Sequence, residues 1–451
     1  MKRIMSIETE YGLWDGKNRD INTNIFKIFN SKYYSLLSPE YDHIKSAGCS
    51  YPMVLRRNYL FNGTQLYTDM GHIEAALPEC SNARDVVLYD EAASLILKKL
   101  SIKNGVSIFK NNTDYYGNSF GCHTNFFLNK IMDKYEDSIY YVMGRILPFL
   151  VTQQIFTGAG HISNGKYLIS QRSGFIESTC SSITISKRAI FNTRMEAHAG
   201  NGFRVHLILS DANMSQYSTY LKMGTTSIIL DMIEKGFLQD SFKILNPVSD
   251  MKRINNCGIK TKIEGEFHPY SNLNFLTPID IQRYYLESSK IFFSSFPDML
   301  DPISRDIMEK WEFVLSSLDE DYMSLDRHLD WVIKKSIIDK FINYSGKNLY
   351  SEGVMKINLN YHLLRRDGIF YSLYKKMGLE EIVSEDEIKN AIYNPPKDTR
   401  AFGRTNLIKE LKKKSHKINF DWSEIVYNLN GLRFVVNLDD PYNTYEDLLI
   451  K

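Results

Sequence analysis

Apolar and polar residues alternate from the start of the chain. Met5, Ile7, Thr9 and Tyr11 fall on one side of a strand and Ser6, Glu8 and Glu10 on the other, so two carboxylates point away from the buried face. Residues 24–37 carry apolar positions at helical spacing. Residues 59–69 return to a strand pattern, interrupted by Asn62-Gly63, a dipeptide suited to a tight hairpin turn. Tyr67 and Asp69 are two apart and therefore share a face. Residues 85–100 read as a helix with Val87, Leu88, Ala92, Leu95 and Ile96 along one stripe. Strands are predicted over 106–110 and 121–128, flanking a polar loop with Asn111, Asn112 and Asn118, and again over 204–209. A helix over 225–235 ends at Gly236, and further helices are predicted over 279–293, 303–318 and 329–344.

The texture changes beyond about residue 380. A helical start over 386–391 is followed by Asn394-Pro395-Pro396, the pair Arg400 and Arg404, a basic run over 409–417 and a last strand over 432–438. A large unit over residues 1–380 and a small one over 381–451 are expected. The basic run reads as a solvated helix face.

Composition narrows the function classes. With 451 residues, 43% hydrophobic and 24% charged, the chain has the balance of a globular protein able to bury a sizeable core. A formal net charge of +2 argues against a nucleic-acid or membrane-surface binder. Cys49, Cys80, Cys122, Cys180 and Cys257 form no Cys-x-x-Cys pair and no disulfide framework, as expected of reduced thiols. The opening residues show no apolar stretch with a cleavage site, and no segment approaches a membrane span, so a cytoplasmic protein is expected.

The candidate chemistry lies in the first third. Glu8 and Glu10 share one strand face, and Asp69, Glu74 and Glu79 follow on a second strand. Hard divalent cations such as magnesium take oxygen ligands, and carboxylates from neighbouring strands can supply them. Arg194, Arg204, His206, Arg400 and Arg404 are candidate clamps for phosphate or carboxylate, because guanidinium matches both groups bidentately. His123 and His198 read as structural rather than as ligands.

A family resemblance runs through a series of words in one order. Arg3-Ile4-Met5-Ser6-Ile7-Glu8-Thr9-Glu10-Tyr11-Gly12 opens it, followed by Asn62-Gly63-Thr64-Gln65-Leu66-Tyr67-Thr68-Asp69. Phe109-Lys110-Asn111-Asn112-Thr113-Asp114, Gly117-Asn118-Ser119-Phe120-Gly121-Cys122-His123 and Ser170-Gln171-Arg172 come next. Asn192-Thr193-Arg194, Ser210-Asp211-Ala212-Asn213-Met214-Ser215 and Asp330-Trp331-Val332-Ile333-Lys334 extend it, as do Pro395-Pro396 and Thr399-Arg400. Together these resemble the Pup ligase and Pup deamidase/depupylase family, and many motifs in order are more specific than any one of them.

The resemblance implies an α+β fold like that of glutamine synthetase. A curved antiparallel sheet would form an open cradle backed by helices, with a small C-terminal domain. It implies ATP and Mg2+ as cofactors, with Glu8, Tyr67 and Glu74 at the metal and Asp69 as the catalytic carboxylate. Trp422 would lie against the nucleotide base. The expected partners are Pup, or a Pup-like acidic peptide, and lysine-bearing acceptor proteins. The reaction implied is activation of a C-terminal glutamate γ-carboxylate as an acyl phosphate and its transfer to a lysine amine.

Four positions depart from the family pattern. Gln65 and Leu77 stand where an Arg and a Thr contact the nucleotide, and Thr124 and Met195 each replace an acidic residue. Ligation is the favoured reading, because the segment from Gly12 to Phe61 has no room for the depupylase's inserted loop. The alternatives are a depupylase, a ligase for another acidic peptide, and a catalytically silent binding scaffold.

Overall fold

Burial follows the alternation of the opening strand. In the computed structural model, β1 (Met5–Trp14) places Met5, Ile7, Thr9 and Tyr11 in the core and turns Glu8 and Glu10 to the other face. The structure describes residues 2–14, 16, 35–37, 42–43, 54–55, 58–69, 71–114, 116–129, 131–132, 134–183, 186–194, 202–238, 242–268, 275–414 and 418–449.

A ten-stranded sheet is built around β1. Its other members are β2 (Ser35–Leu37), β3 (Asn58–Leu60), β4 (Gln65–Asp69), β5 (His72–Ala76), β6 (Ser107–Phe109), β7 (Cys122–Leu128), β8 (Ser178–Ser181), β9 (Ala189–Asn192) and β10 (Phe203–Leu207). The order is β8-β9-β10-β7-β1-β5-β4-β3-β2, and β6 pairs with the far end of β1. The predicted Asn62-Gly63 turn joins β3 to β4, with Gly63 at φ +86°, a conformation that a side chain would strain.

Two expectations are corrected. The sheet is mixed, because β8 and β9 run parallel while the other pairs of the sheet are antiparallel. Residues 35–37, placed at the end of a helix by their spacing, form the short strand β2 on β3. The rest of that predicted helix, 24–34, lies outside the described residues.

Helices cover the buried face. They are α1 (Ala83–Asn104), α2 (Tyr135–Thr157), α3 (Gln216–Glu234), α4 (Pro247–Cys257), α5 (Pro278–Ser295) and α6 (Pro302–Glu320), then α7 (Asp330–Ser345), α8 (Glu352–Asn360), α9 (Ile369–Met377), α10 (Glu385–Ala391) and α11 (Arg400–Lys414). α3 packs against α1, α2 and α6, and every residue from Gln216 to Ile233 is buried. It begins at Gln216 rather than at 225, capped by the Ser215 side chain accepting from Ser218 N–H. Helix α2 has no counterpart in the sequence reading because it runs through Pro148, a residue that removes one helical hydrogen bond. Packing offsets that loss: Val142, Ile146, Phe149, Leu150, Val151, Ile155 and Phe156 are all fully buried. No helix among the described residues is long and apolar enough to cross a membrane.

A second, smaller core gathers Tyr59, Leu407, Ile408, Leu411, Ile425 and Leu438. It lies between β3, α11 and a three-stranded sheet of Ile418–Phe420, Glu424–Leu429 and Leu432–Asn437. Val383, Ile388, Ala391 and Ile392 instead join the main core.

One buried ion cluster ties the two cores together. Glu79 accepts from Arg400 Nε at 2.7 Å and from Arg404 Nη1 and Nη2 at 2.8 and 2.6 Å. Arg404 also donates to Tyr59 Oη and to the Trp422 carbonyl. Burial pushes the Glu79 carboxyl up, but the two guanidinium groups outweigh it and hold it down to about 2. Such a depressed pKa contributes stability above the ordinary carboxylate range that is lost as pH falls toward 2. Glu79→Gln leaves two buried cations without their carboxylate and is expected to cost about 3–5 kcal/mol in urea unfolding followed by circular dichroism. A loss under about 1 kcal/mol would show that Glu79 does not hold the C-terminal segment.

Candidate active site

Register decides which acids meet. In an antiparallel pair, residues directly opposite project from the same face. Glu74 on β5 stands opposite Glu10 on β1 and opposite Tyr67 on β4, and Asp69 stands opposite His72. On the other flank Glu8 stands opposite His123 on β7, and Asn125 opposite His206 on β10.

Two side-chain clusters result. Carboxylate oxygens of Glu10, Asp69 and Glu74 lie within 4.8 Å of one another, and so do donor atoms of Glu8, His123 and His206. Tyr67 donates its hydroxyl proton to Glu74 at 2.7 Å. Burial and the Glu8 and Glu10 charges push the Glu74 carboxyl well above its ordinary range. Tyr67 is likewise raised by burial and by the carboxylates around it, so it is a neutral phenol. Glu8 behaves oppositely. Burial would raise it, but Arg204, at 3.2 Å, and His123 outweigh this and hold it well below the carboxylate range. His206 is held neutral by burial and by Arg204.

The donor set of the first cluster fits a hard divalent cation. All its atoms are oxygens, no guanidinium or ammonium among the described residues is bonded to Glu74, and the repulsion that lifts the Glu74 pKa is what bound positive charge would relieve. The second cluster mixes nitrogen and oxygen and already includes the Arg204 cation, so it suits magnesium less well.

Glu8, whose charge also acts on Glu74, lines a pocket together with Ser6, Leu77, Asn125, Arg204, Arg400 and Trp422, among others. Four residues expected at a nucleotide, Leu77, Arg204, Arg400 and Trp422, are thus brought together next to Glu8. Gln65 is buried on β4 opposite Ala76, and its Nε2 has no hydrogen-bond partner among the described residues. Arg194 is exposed beyond the end of β9 and does not line the pocket.

Several expectations change. Arg404 is not available as a clamp, because its guanidinium is fully buried and bidentate on Glu79. Glu79 is by the same bonds removed from the acidic group around Asp69 and Glu74. His123, read as structural, belongs to the cluster around Glu8. Thr124 is buried on the opposite face of β7, so the acidic residue it replaces would face the core and not the clusters. Met195 and His198 lie outside the described residues.

Gly121 was missed as a site residue. A Cβ there would stand 2.5 Å from His123 Nε2 and 2.8 Å from Glu10 Oε1, so only glycine allows both side chains to approach. A glycine followed two residues later by a histidine gives no such signal without the register.

The family model described as Pup-ligase protein matches residues 3–426. The chain belongs to the Pup-ligase family. It is 32% identical to the Pup–protein ligase of Kineococcus radiotolerans over 469 aligned residues, covering 99% of this chain and 98% of that one. It is also 33% identical to a depupylase of Acidothermus cellulolyticus, over 82% of this chain and 75% of that protein. Its structure is similar, with a TM-score of 0.84 and 27% identity, to the Pup ligase PafA in complex with Pup, covering 100% of this chain and 92% of that one. PafA in complex with ADP matches with a TM-score of 0.78 over 87% of this chain and 88% of that one. The α+β architecture is therefore that of the Pup-ligase family.

The raised Glu74 pKa sets a testable trade between stability and binding. A carboxyl whose pKa is higher folded than unfolded makes stability fall as pH rises from the ordinary carboxylate range to the folded value. At pH 8, Glu74→Gln should therefore stabilise the metal-free chain by about 1 kcal/mol, since one repelled charge is gone. Magnesium is expected to raise the melting temperature of the parent chain, and the variant should lose that rise. A variant less stable than its parent at pH 8, yet still stabilised by magnesium, would contradict this reading.

Proposed function

We propose that the chain is an ATP-dependent ligase that joins the γ-carboxylate of a C-terminal glutamate, on Pup or a Pup-like acidic peptide, to a lysine amine of an acceptor protein. The observation that carries this reading is the convergence of Glu10, Asp69 and Glu74 beside the pocket lined by Arg204 and Trp422. Similarity to Pup ligases along the whole chain supports it.

The chemistry follows from what the residues can do. A carboxylate is a poor acyl donor, so one of its oxygens first attacks the terminal phosphorus of ATP, and ADP departs from an acyl phosphate. Trp422 offers an aromatic face to the base, and Arg204 places positive charge on the phosphate side of the pocket. The lysine nitrogen then attacks the acyl carbon, inorganic phosphate leaves, and the amine proton passes to a carboxylate. We assign that role to Asp69, the carboxylate that the resemblance of residues 62–69 to the family's catalytic strand singles out. Glu10 and Glu74 would hold magnesium, with Tyr67 fixing the Glu74 carboxylate, Glu8 adjoining from the second cluster and the Asp69 carboxylate standing beside them. When bound, magnesium neutralises charge on the phosphate oxygens during transfer.

Gln65 and Leu77 leave the nucleotide without one charged partner and one hydroxyl partner, and Arg194 is too exposed to replace them in the pocket. The small unit, over residues 381–451, packs Val383, Ile388, Ala391 and Ile392 into the main core, and its helix α11 contributes Arg400 to the pocket. We place the protein in the cytoplasm, where Pup-bearing acceptors would be met.

A depupylase is the second reading, favoured by the similarity to the Acidothermus protein. Mass spectrometry of the chain with Mg-ATP, a Pup ending in glutamate and a lysine-bearing acceptor separates the two. The ligase reading predicts an adduct lighter than its parts by one water, with ADP released. Asp69→Asn should slow adduct formation by roughly 10²–10⁴-fold. Loss of a preformed conjugate without new adduct would overturn ligation, and undiminished turnover by Asp69→Asn would overturn the role of that carboxylate.

A further inference from the structure

Behind the acidic cluster lies a buried guanidinium that bonds to no carboxylate among the described residues. Arg172 is 3% exposed. Its Nε and Nη2 both donate to the Ile208 carbonyl, at 3.1 and 2.7 Å, and its Nη1 donates to the Phe120 carbonyl and the Ser119 hydroxyl. Its backbone N–H is fixed separately, by the Asp211 carboxylate at 2.9 Å. A guanidinium buried with only neutral acceptors is costly, and a neutral side chain could brace the same carbonyls at lower desolvation cost.

What it braces touches both flanks of the cluster. The Phe120 ring stacks on His72 with centroids 4.5 Å apart, and His72 is the register partner of Asp69. The next residue, Gly121, accepts from the Glu10 backbone N–H at 3.0 Å, and Glu10 Oε1 fills the space where its Cβ would be. Burial pushes the Arg172 guanidinium down, and Glu10 is the carboxylate that opposes this most.

We propose that Arg172 is a positioning residue of the acidic cluster: it clamps the Phe120–Gly121 turn against which Glu10 and His72 rest, and its charge stands behind the carboxylates. Its effect on a bound cation passes through Phe120 and Gly121. The inference rests on the reading of Glu10, Asp69 and Glu74 as the divalent-cation site.

Direct manganese binding, measured by the electron paramagnetic resonance of the free ion on metal-free protein, tests it without reference to turnover. Arg172→Gln should weaken binding by about 10–100-fold, the usual effect of removing a group that supports metal ligands. Arg172→Lys, which keeps the charge and can reach one carbonyl, should restore part of the loss. Phe120→Leu, which keeps bulk but loses the stack on His72, should weaken binding several-fold, by about 3–10-fold. Circular dichroism restricts the comparison to folded protein, and Phe120→Leu carries the test if Arg172→Gln does not fold. Parent-like binding by folded Arg172→Gln, or by Phe120→Leu in its place, overturns the inference, as does a loss that lysine does not relieve. Glu74→Gln run in parallel separates the two readings. If the parent binds no manganese that Glu74→Gln loses, the metal site itself has failed, and the positioning role with it.

Discussion

Three carboxylates held within 4.8 Å of one another repel, and the sheet has to resist that repulsion. Two charges at about 4 Å interact by roughly 1 kcal/mol in water and about 4 kcal/mol at the dielectric of a protein surface. The fold meets this with a proton and a scaffold. Burial and the neighbouring Glu8 and Glu10 charges raise the Glu74 pKa, the Tyr67 hydroxyl donates to Glu74 and partly offsets that rise, and the opposite face of β1 is packed into a core that includes Tyr11 and Ile73 at 0% exposure. A site assembled in this way is poised for positive charge, and that requirement links the sheet to ATP chemistry.

The pocket next to the cluster depends on a different electrostatic device. Glu79 is paired with two arginines, so Arg400 and Trp422 are carried to the edge of the sheet by a segment more than 300 residues downstream. The same residue types therefore serve opposite ends within one stretch of chain. Glu74 is left short of cations, whereas five residues later Glu79 is saturated by them. Only the first arrangement leaves a carboxylate group with something to bind.

Most of the elements that were legible in the sequence have one wet face, although the buried strands β6 and β10 were read from their short apolar runs. β1, the Asn62-Gly63 hairpin, α1 and the helices α5 to α7 show their periods because solvent imposes the polar half of the pattern. α2 and most of α3 are buried on nearly all sides, so no stripe exists to read, and Pro148 further disguises the first of them. At the site, alternation put Glu8 with Glu10 and Tyr67 with Asp69, and the family motifs singled out Glu74. The meeting of Glu10 with Glu74, of Glu8 with His123 and of Glu79 with Arg404 depends on register and on contacts between distant segments. Neither is encoded in the spacing of a single strand.

The most direct measurement is the anomalous diffraction of crystals grown with manganese and a non-hydrolysable ATP analogue. The account predicts a manganese peak among the carboxylates of Glu10, Asp69 and Glu74, with the nucleotide phosphates toward Arg204 and its base against Trp422. A nucleotide bound with its phosphates remote from those carboxylates, or a cluster left without a peak at saturating manganese, would contradict it.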